Sequence, residues 1–342
     1  MSINSKNKPI SELRRDLVSG TWVLIATGRA KRPKEFTKSR FKIEPSPIES
    51  CPFENPLQTG HQKPLLTLSK SKNPDDWWVQ VIPNKFPAFG PAGTCEEVKN
   101  VGPYSVMDGI GFHEVIITRD HYRHFAKFSQ KEAELVVDAY RQRYLSLAED
   151  GCVRYISIFH NHGQEAGASI YHPHSQIIAI PVIDPDVSRS LVGSQNYFDQ
   201  NKKCVHCVMI NFERDQKTRV IFENAFFIAF CPFASRGAFE VRIFPKIHEP
   251  CFEQIDKEQV VYFAEALRVS LRKIFKGLND PPYNFFIHTA PVVRDPTKEF
   301  SHYHWHLEIL PKTSIWAGFE LGAGIEISTI EPEKAAEYLR KF

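Results

Sequence analysis

Two imidazoles and an amide stand at alternate positions in His172-Pro173-His174-Ser175-Gln176. On a β-strand, residues i, i+2 and i+4 share a face, so the spacing predicts that His172, His174 and Gln176 project together. The apolar run 177–180 would anchor that strand in a core. Upstream, 156–171 reads as a strand and a Gly-rich polar loop, where Asn161, Gly167 and Ser169 can offer amide, N–H and hydroxyl contacts to phosphate. An imidazole can attack phosphorus, and an amide can donate to the phosphoryl oxygen as charge builds there. An H-x-H pair is also a common solvated or metal-binding arrangement, so the motif by itself reads two ways. The basic loop 28–34 does too. Arg29 and Arg32 are either solvated surface or, beside a phosphate site, clamps for its oxygens.

Cys204 and Cys207 have the C-x-x-C spacing that brings two thiolates onto one tetrahedral Zn²⁺. An internal repeat, set out below, matches His248 and His304 to His121 and His172. The proposed set is therefore Cys204, Cys207, His248 and His304. Its counterpart in the first half is Cys51, Glu54, His121 and His172, with a carboxylate where a second thiolate is expected. Carboxylates bind zinc, so this set either persists in altered form or is degenerate. Four protein ligands leave no position for a catalytic water, which makes either site structural. With His172 assigned to metal, His174 becomes the candidate nucleophile and Gln176 its phosphoryl-oxygen donor. Pro173 fixes φ and removes an N–H between them. The matching His304-Trp305-His306-Leu307-Glu308 keeps both histidines, lacks the glutamine, and reads as a structural or metal-binding copy.

The elements that must position these groups are legible in outline. Residues 13–26 read as two short strands turning at Ser19-Gly20, and 38–75 as mostly irregular. Strands are expected at 77–83 and 113–118, with a Gly/Pro-rich loop over 89–110. An amphipathic helix is expected at 129–149, opened by Ser129 and Glu132 at capping-box spacing. The same order then recurs. FHEVIITRDH (112–121) parallels AFEVRIFPKIH (238–248), the helical 129–147 parallels 256–274, and YISIFHN (155–161) parallels YNFFIHT (283–289). HPHSQIIAIP (172–181) parallels HWHLEILP (304–311), and the strand at 77–83 parallels AFFIAFCP (225–232). Two strand–helix–strand–strand units that meet through their strands predict one α+β protein with a long, mainly antiparallel sheet and flanking helices. The halves join near 185–200, giving domains 1–190 and 191–342, and a helix at 331–341 closes the chain.

Bulk composition narrows the function class. A chain of 342 residues suits two domains, and 42% hydrophobic content is enough to core them. A net charge of +3 gives no gross nucleic-acid or membrane signature. No run of about 18 apolar residues occurs and the first residues lack a signal-peptide core. The expectation is a cytoplasmic protein with neither nucleic acid nor membrane as partner. In that reducing compartment, an odd set of seven cysteines favours metal ligation over disulfides for any of them that pair closely.

The motifs Arg29-Ala30-Lys31-Arg32-Pro33, Cys51-Pro52-Phe53, Asn84-Lys85-Phe86-Pro87-Ala88, Asn161 through HPHSQ, His304-Trp305-His306 and Gly318-Phe319-Glu320 follow in order along nearly the whole chain. Together they resemble the galactose-1-phosphate uridylyltransferase family, the transferase branch of the histidine-triad superfamily. The resemblance implies tandem histidine-triad-like domains, a homodimer, and zinc in one or two structural sites. It also implies a ping-pong exchange between a nucleotide sugar and a sugar 1-phosphate through a nucleotidyl-histidine. Carried over by position, His174 is the nucleophile and Gln176 the phosphoryl-oxygen donor. Asn161 and Ser169 contact nucleotide phosphates, Arg29 and Arg32 bind phosphate, and Asn84 borders base and ribose. Phe319 and Glu320 lie near the hexose, and Cys51, His121 and His172 match zinc-ligand positions.

The departures are Ser175 in place of a glycine, Glu54 in place of the second cysteine, Ser314 in place of a lysine, and Lys85 in place of an acidic residue common in some members. The second C-x-x-C set and GFELGAGIEI (318–327) look similar to a plant-type branch that acts as an ADP-glucose phosphorylase. The leading expectation is exchange of UDP-glucose with galactose 1-phosphate. The alternative is phosphorolysis of ADP-glucose, and a third reading is a non-catalytic nucleotide-binding protein.

Overall fold

Ten short strands, each alternating between two apolar faces, determine which side chains can reach the H-x-H motif. The computed structural model describes residues 11–26, 36, 43, 45–73, 76–90, 95, 98–293 and 299–342. The basic loop with Arg29 and Arg32 lies outside the described residues. From the first half come β3 (Leu66–Ser69), β4 (Trp77–Pro83), β7 (Phe112–Thr118), β8 (Tyr155–His162) and β9 (His174–Ile180). From the second come β10 (Val220–Glu223), β11 (Phe227–Phe230), β12 (Val241–Pro245), β13 (Tyr283–His288) and β14 (His306–Pro311). They form one antiparallel sheet in the order β10-β11-β12-β14-β13-β8-β9-β7-β4-β3. Read inward from either edge, corresponding elements of the repeat follow in the same sequence. The halves meet where β8 pairs with β13, Asn161 opposite Asn284.

One face of the sheet carries the two long helices, α1 (Gln130–Ala148) and α4 (Lys257–Leu278). Both are opened by capping boxes, Ser129 with Glu132 and Asp256 with Gln259, which satisfy N–H groups left unpaired at a helix start. Val136, Tyr140 and Tyr144 of α1 and Phe263, Leu267, Leu271 and Ile274 of α4 recur at helical spacing. They join one core with Ile177 and Ala179 of β9 and Phe285 of β13. Burying each Val, Leu, Ile or Phe side chain of this set contributes roughly 1.5–3 kcal/mol. The other face is covered separately: Phe53, Ile82, Val115 and Ile117 cluster in the first half, and Ile210, Phe230 and Phe244 in the second.

Several elements depart from the expectation. The short strand β3 lies inside the stretch read as irregular, paired to β4. A hairpin of β5 (Lys99–Val101) and β6 (Tyr104–Val106) interrupts the 89–110 loop. The junction is helical: α2 (Pro185–Asn201) spans it, capped by Asp184, and α3 (Val205–Gln216) follows. Polar residues dominate α2, so its apolar stripe is too thin to read. Two further helices, α5 (Gly318–Ala323) and α6 (Pro332–Leu339), occupy the C-terminal stretch. Cys95 and Cys152 form a disulfide, a pairing that the expectation of a reducing compartment did not anticipate. Their sequence separation of 57 residues hid a proximity that the fold creates.

The N-terminal hairpin, β1 (Glu12–Arg15) and β2 (Trp22–Ile25), pairs through β2 with β15 (Ile327–Ser328) in parallel. Arg14 bonds Glu333 at 2.9 Å and Arg242 reaches Asp16 at 3.4 Å, so the chain's start is tied to its second half. No helix among the described residues is long and apolar enough to cross a membrane.

Candidate functional site

On β9 the side chains of 175, 177 and 179 turn toward the helices, which leaves 174 and 176 on the opposite face. Ile117 and Val115 of β7 stand directly across from His174 and Gln176, and the Phe53 ring centroid lies 5.1 Å from that of His174. His174 is only 7% exposed, and this burial pushes its pKa down to about 4. The imidazole is therefore neutral at neutral pH. Its Nδ1 sits 2.8 Å from the carbonyl oxygen of His172. A carbonyl only accepts, so Nδ1 carries the proton and Nε2 keeps its lone pair. A neutral, oriented imidazole with a free lone pair is what attack on phosphorus requires.

Gln176 is oriented by a residue the motif reading passed over. The backbone N–H of Ala88 donates to His113 Nδ1 at 3.1 Å, which leaves the proton on Nε2. That N–H donates to Gln176 Oε1 at 2.7 Å. The amide oxygen is occupied, and the NH₂ end is left for an acceptor such as a phosphoryl oxygen. Asn84 Nδ2 comes within 3.0 Å of the same His113 nitrogen, placing Asn84 in this polar row. On the helix face, Ser175 Oγ meets Tyr140 Oη at 2.5 Å and His160 Nδ1 at 3.0 Å. The serine that departs from the family's glycine thus has two buried partners.

The second copy is arranged differently. His306 Nδ1 lies 3.3 Å from the His304 carbonyl, but Nε2 faces Glu308 Oε1 at 3.5 Å. Glu308 is itself held by Arg236 and, at 3.0 Å, by Arg242. Those two guanidiniums hold its carboxyl well below the usual range despite burial. No lone pair is presented here as at His174.

Both predicted Cys/His sets come together. Cys204, Cys207, His248 and His304 place their ligand atoms within 4.8 Å of one another, as do Cys51, Glu54, His121 and His172. The outer ring nitrogens carry the supporting information. His172 Nε2 donates to Thr118 O at 2.6 Å, His121 Nε2 to Ser46 O at 2.9 Å, and His304 Nε2 to Pro245 O at 3.0 Å. Each bond fixes the tautomer that turns an Nδ1 lone pair inward, the outer-shell arrangement of metal-ligating histidines. His172 Nδ1 reaches Glu54 Oε1 at 3.1 Å and Cys51 Sγ at 3.5 Å. A hydrogen bond from Cys207, helped by bonds from three nearby imidazoles, lowers the Cys204 thiol, and the same bond raises Cys207. Soft thiolates with imidazoles suit zinc, and the thiolate–carboxylate–imidazole set can accept it too.

The loop after β8 walls a cavity of about 300 Å³ lined by Asn161, Gly163, Ser169, Tyr171 and Pro173, among others. His174 and Gln176 are not among its lining residues. Gly163 has φ +83, and a Cβ there would come within 2.9 Å of Pro282, so only glycine fits this turn. Asn161 Oδ1 accepts from Asn284 across the seam at 2.7 Å. Asn284 was not foreseen, because its partner is set by pairing between the halves.

Residues 1–183 match the family described as galactose-1-phosphate uridyl transferase, N-terminal domain, and 104–341 match a domain of unknown function, DUF4921. An ADP-glucose phosphorylase of Arabidopsis thaliana is 35% identical over 96% of this chain and 92% of its own. The chain belongs to the galactose-1-phosphate uridylyltransferase family. A member from Thermotoga maritima, named a galactose-1-phosphate uridylyltransferase, is 28% identical over 96% of this chain and 98% of its own. The crystal structure of an Arabidopsis thaliana ADP-glucose phosphorylase with bound ADP-glucose superposes with a TM-score of 0.80 at 34% identity, covering 97% of this chain and 99% of that one.

Against the family pattern, the structure brings Gln176 and Asn84 together around His113, with His174 on the same face of β9 as Gln176, and Asn161 with Ser169 onto one cavity wall. Phe319 and Glu320 lie on α5, Phe319 being 53% exposed.

Proposed function

We propose that the protein is a nucleotidyltransferase in which His174 Nε2 attacks the α-phosphorus of a nucleotide sugar. The new N–P bond forms as the P–O bond to the sugar 1-phosphate breaks, and an acceptor phosphate then displaces His174 from phosphorus. The observation that carries this reading is the neutral His174 ring with its Nδ1–H tied to the His172 carbonyl. Gln176 donates to the phosphoryl oxygen, Asn161 and Ser169 contact the nucleotide phosphates, Asn84 borders the nucleoside, and Arg29 and Arg32 clamp phosphate. Phe319 and Glu320 lie near the hexose, and the protein forms a homodimer. Zinc in the Cys204/Cys207/His248/His304 set, and in the Cys51/Glu54/His121/His172 set, ties loops to strands and takes no part in the exchange. Residues 1–190 form the unit that reacts, and 191–342 its duplicated partner.

For the substrate, ADP-glucose with inorganic phosphate as acceptor is the reading we favour over UDP-glucose with galactose 1-phosphate. It is supported by the higher identity to the plant phosphorylase than to the Thermotoga enzyme, and by the C-x-x-C set. The family match over 1–183 supports the second reading. Intact-protein mass spectrometry after incubation with each nucleotide sugar alone tests both. An adenylyl adduct discharged by phosphate is expected. A uridylyl adduct discharged only by galactose 1-phosphate would reverse the order, and no adduct from either would end both readings.

A further inference from the structure

Three side chains from distant parts of the sequence converge beneath the loop that follows β8. His124 precedes the short turn before α1, His162 ends β8, and Asp280 follows the left-handed cap of α4. One ligand atom of each lies within 4.8 Å of the other two. Asp280 Oδ1 is 2.8 Å from His162 Nε2 and 3.7 Å from His124 Nε2. Donors about 2.0–2.2 Å from one ion stand roughly 3.0–3.6 Å apart, so small adjustments would centre these three on a single cation.

The decisive observation is His124. It is 2% exposed, and neither ring nitrogen has a hydrogen-bond partner. Buried polar groups are nearly always satisfied, and an ordinary His162–Asp280 ion pair leaves this ring unexplained. The rings of His162 and Phe275 pack beside it at 4.5 and 5.3 Å, while Nε2 is turned toward Asp280. Burial holds His124 neutral, its pKa pushed down to about 3, so one ring nitrogen carries the proton and the other keeps a lone pair at neutral pH. Asn279 and Asp280 both adopt left-handed backbone, φ 60 and 54, a conformation that short polar residues tolerate and others avoid. That turn delivers the carboxylate to the two imidazoles.

We propose that His124, His162 and Asp280 bind a divalent transition-metal ion such as Zn²⁺ at a site separate from the two Cys/His sets. Two imidazoles and one carboxylate suit such an ion better than Ca²⁺ or Mg²⁺. Three protein ligands leave positions for water, which solvent reaches past the 32%-exposed Asp280 side chain. The ion would join β8, the approach to α1 and the α4–β13 turn at one point. Because His162 also lines the cavity beside Asn161, it would brace that wall.

Equilibrium dialysis of the full chain against buffered zinc, with bound metal counted by elemental analysis, tests the site. Asp280→Asn keeps a residue suited to the left-handed turn and removes the anionic ligand, and His124→Leu removes the buried one. Each is expected to bind one zinc fewer per chain than the unmodified protein at the free zinc that just saturates it. The loss should add to that of Cys204→Ser. Equal counts in Asp280→Asn and the unmodified protein overturn the proposal, and this comparison decides even if His124→Leu does not fold.

Discussion

His113 Nε2 donates to Gln176 Oε1 across 2.7 Å, which turns the amide so that its NH₂ group remains unclaimed by that partner. Replacing the amide by a carboxylate preserves the bond to His113 and removes the donor. Gln176→Glu is therefore expected to slow adduct formation about 10²–10³-fold, the usual cost of losing one oxyanion donor. The melting temperature should barely change. Single-turnover mass spectrometry with a nucleotide sugar reads the first effect and calorimetry the second, and undiminished adduct formation would remove Gln176 from the reaction.

His174→Gly should abolish the nucleotidyl adduct and lower turnover by about 10⁴-fold or more, since the neighbouring His113 has both ring nitrogens engaged, by the Ala88 N–H and by Gln176. Circular dichroism is expected to match the unmodified protein. The second copy offers no substitute, because Glu308 and two arginines engage the site of His306.

The two Cys/His sets should separate in their effects. Cys204→Ser is expected to release metal and lower the melting temperature by several degrees while adduct formation persists. Cys51→Ser should do both kinds of damage, because His172 is two residues from His174 and its carbonyl fixes that ring. Elemental analysis and adduct kinetics on both variants check the contrast. Unchanged metal content would withdraw the set concerned.

Tyr140→Phe removes one of the two partners of buried Ser175. A loss of about 1–2 kcal/mol is expected in urea denaturation, with adduct formation retained because Ser175 points away from the His174 face. Ser175→Gly would leave the Tyr140 hydroxyl unpartnered and should cost a similar amount.

Acid should weaken the fold through its buried neutral imidazoles. Burial holds His174 near pKa 4 and lowers His160 well below its ordinary value. In the unfolded chain both bind protons below about pH 6.5. Between those limits the unfolded state holds more protons, so stability rises with pH. Their contribution is full above about pH 6.5 and lost as pH falls toward about 4. Urea midpoints measured from about pH 8 to pH 5 should fall, and a flat series would contradict the burial of both rings.

Much of this was legible in the sequence, and for a definite reason. The repeat placed four pairs of strands and one pair of helices, and the sheet uses those strands in mirrored order because matching units meet through matching strands. Ser129 and Glu132 marked the start of α1 because a capping box is local chemistry. Cys204 and Cys207 were legible because a C-x-x-C spacing is itself enough to bring two thiolates onto one ion. What could not be read was set by pairing across long separations. His113 acts on Gln176 only because β7 lies beside β9, and Asn284 meets Asn161 only at the seam. His124, His162 and Asp280 have no spacing that announces them.

The seam between β8 and β13 has a consequence for how the chain is made. Its pairs join residues more than a hundred positions apart, Asn161 to Asn284 for instance. Until the ribosome has released residue 288, β8 is an open edge with unpaired N–H and C=O groups. Open edges of this kind recruit other strands, and a nascent first half would be exposed to that hazard for much of its synthesis. Long-range pairing also slows closure of the sheet. The wall that carries Asn161 is thus finished among the last parts of the molecule, and a truncated first half would be born with its most adhesive surface facing outward.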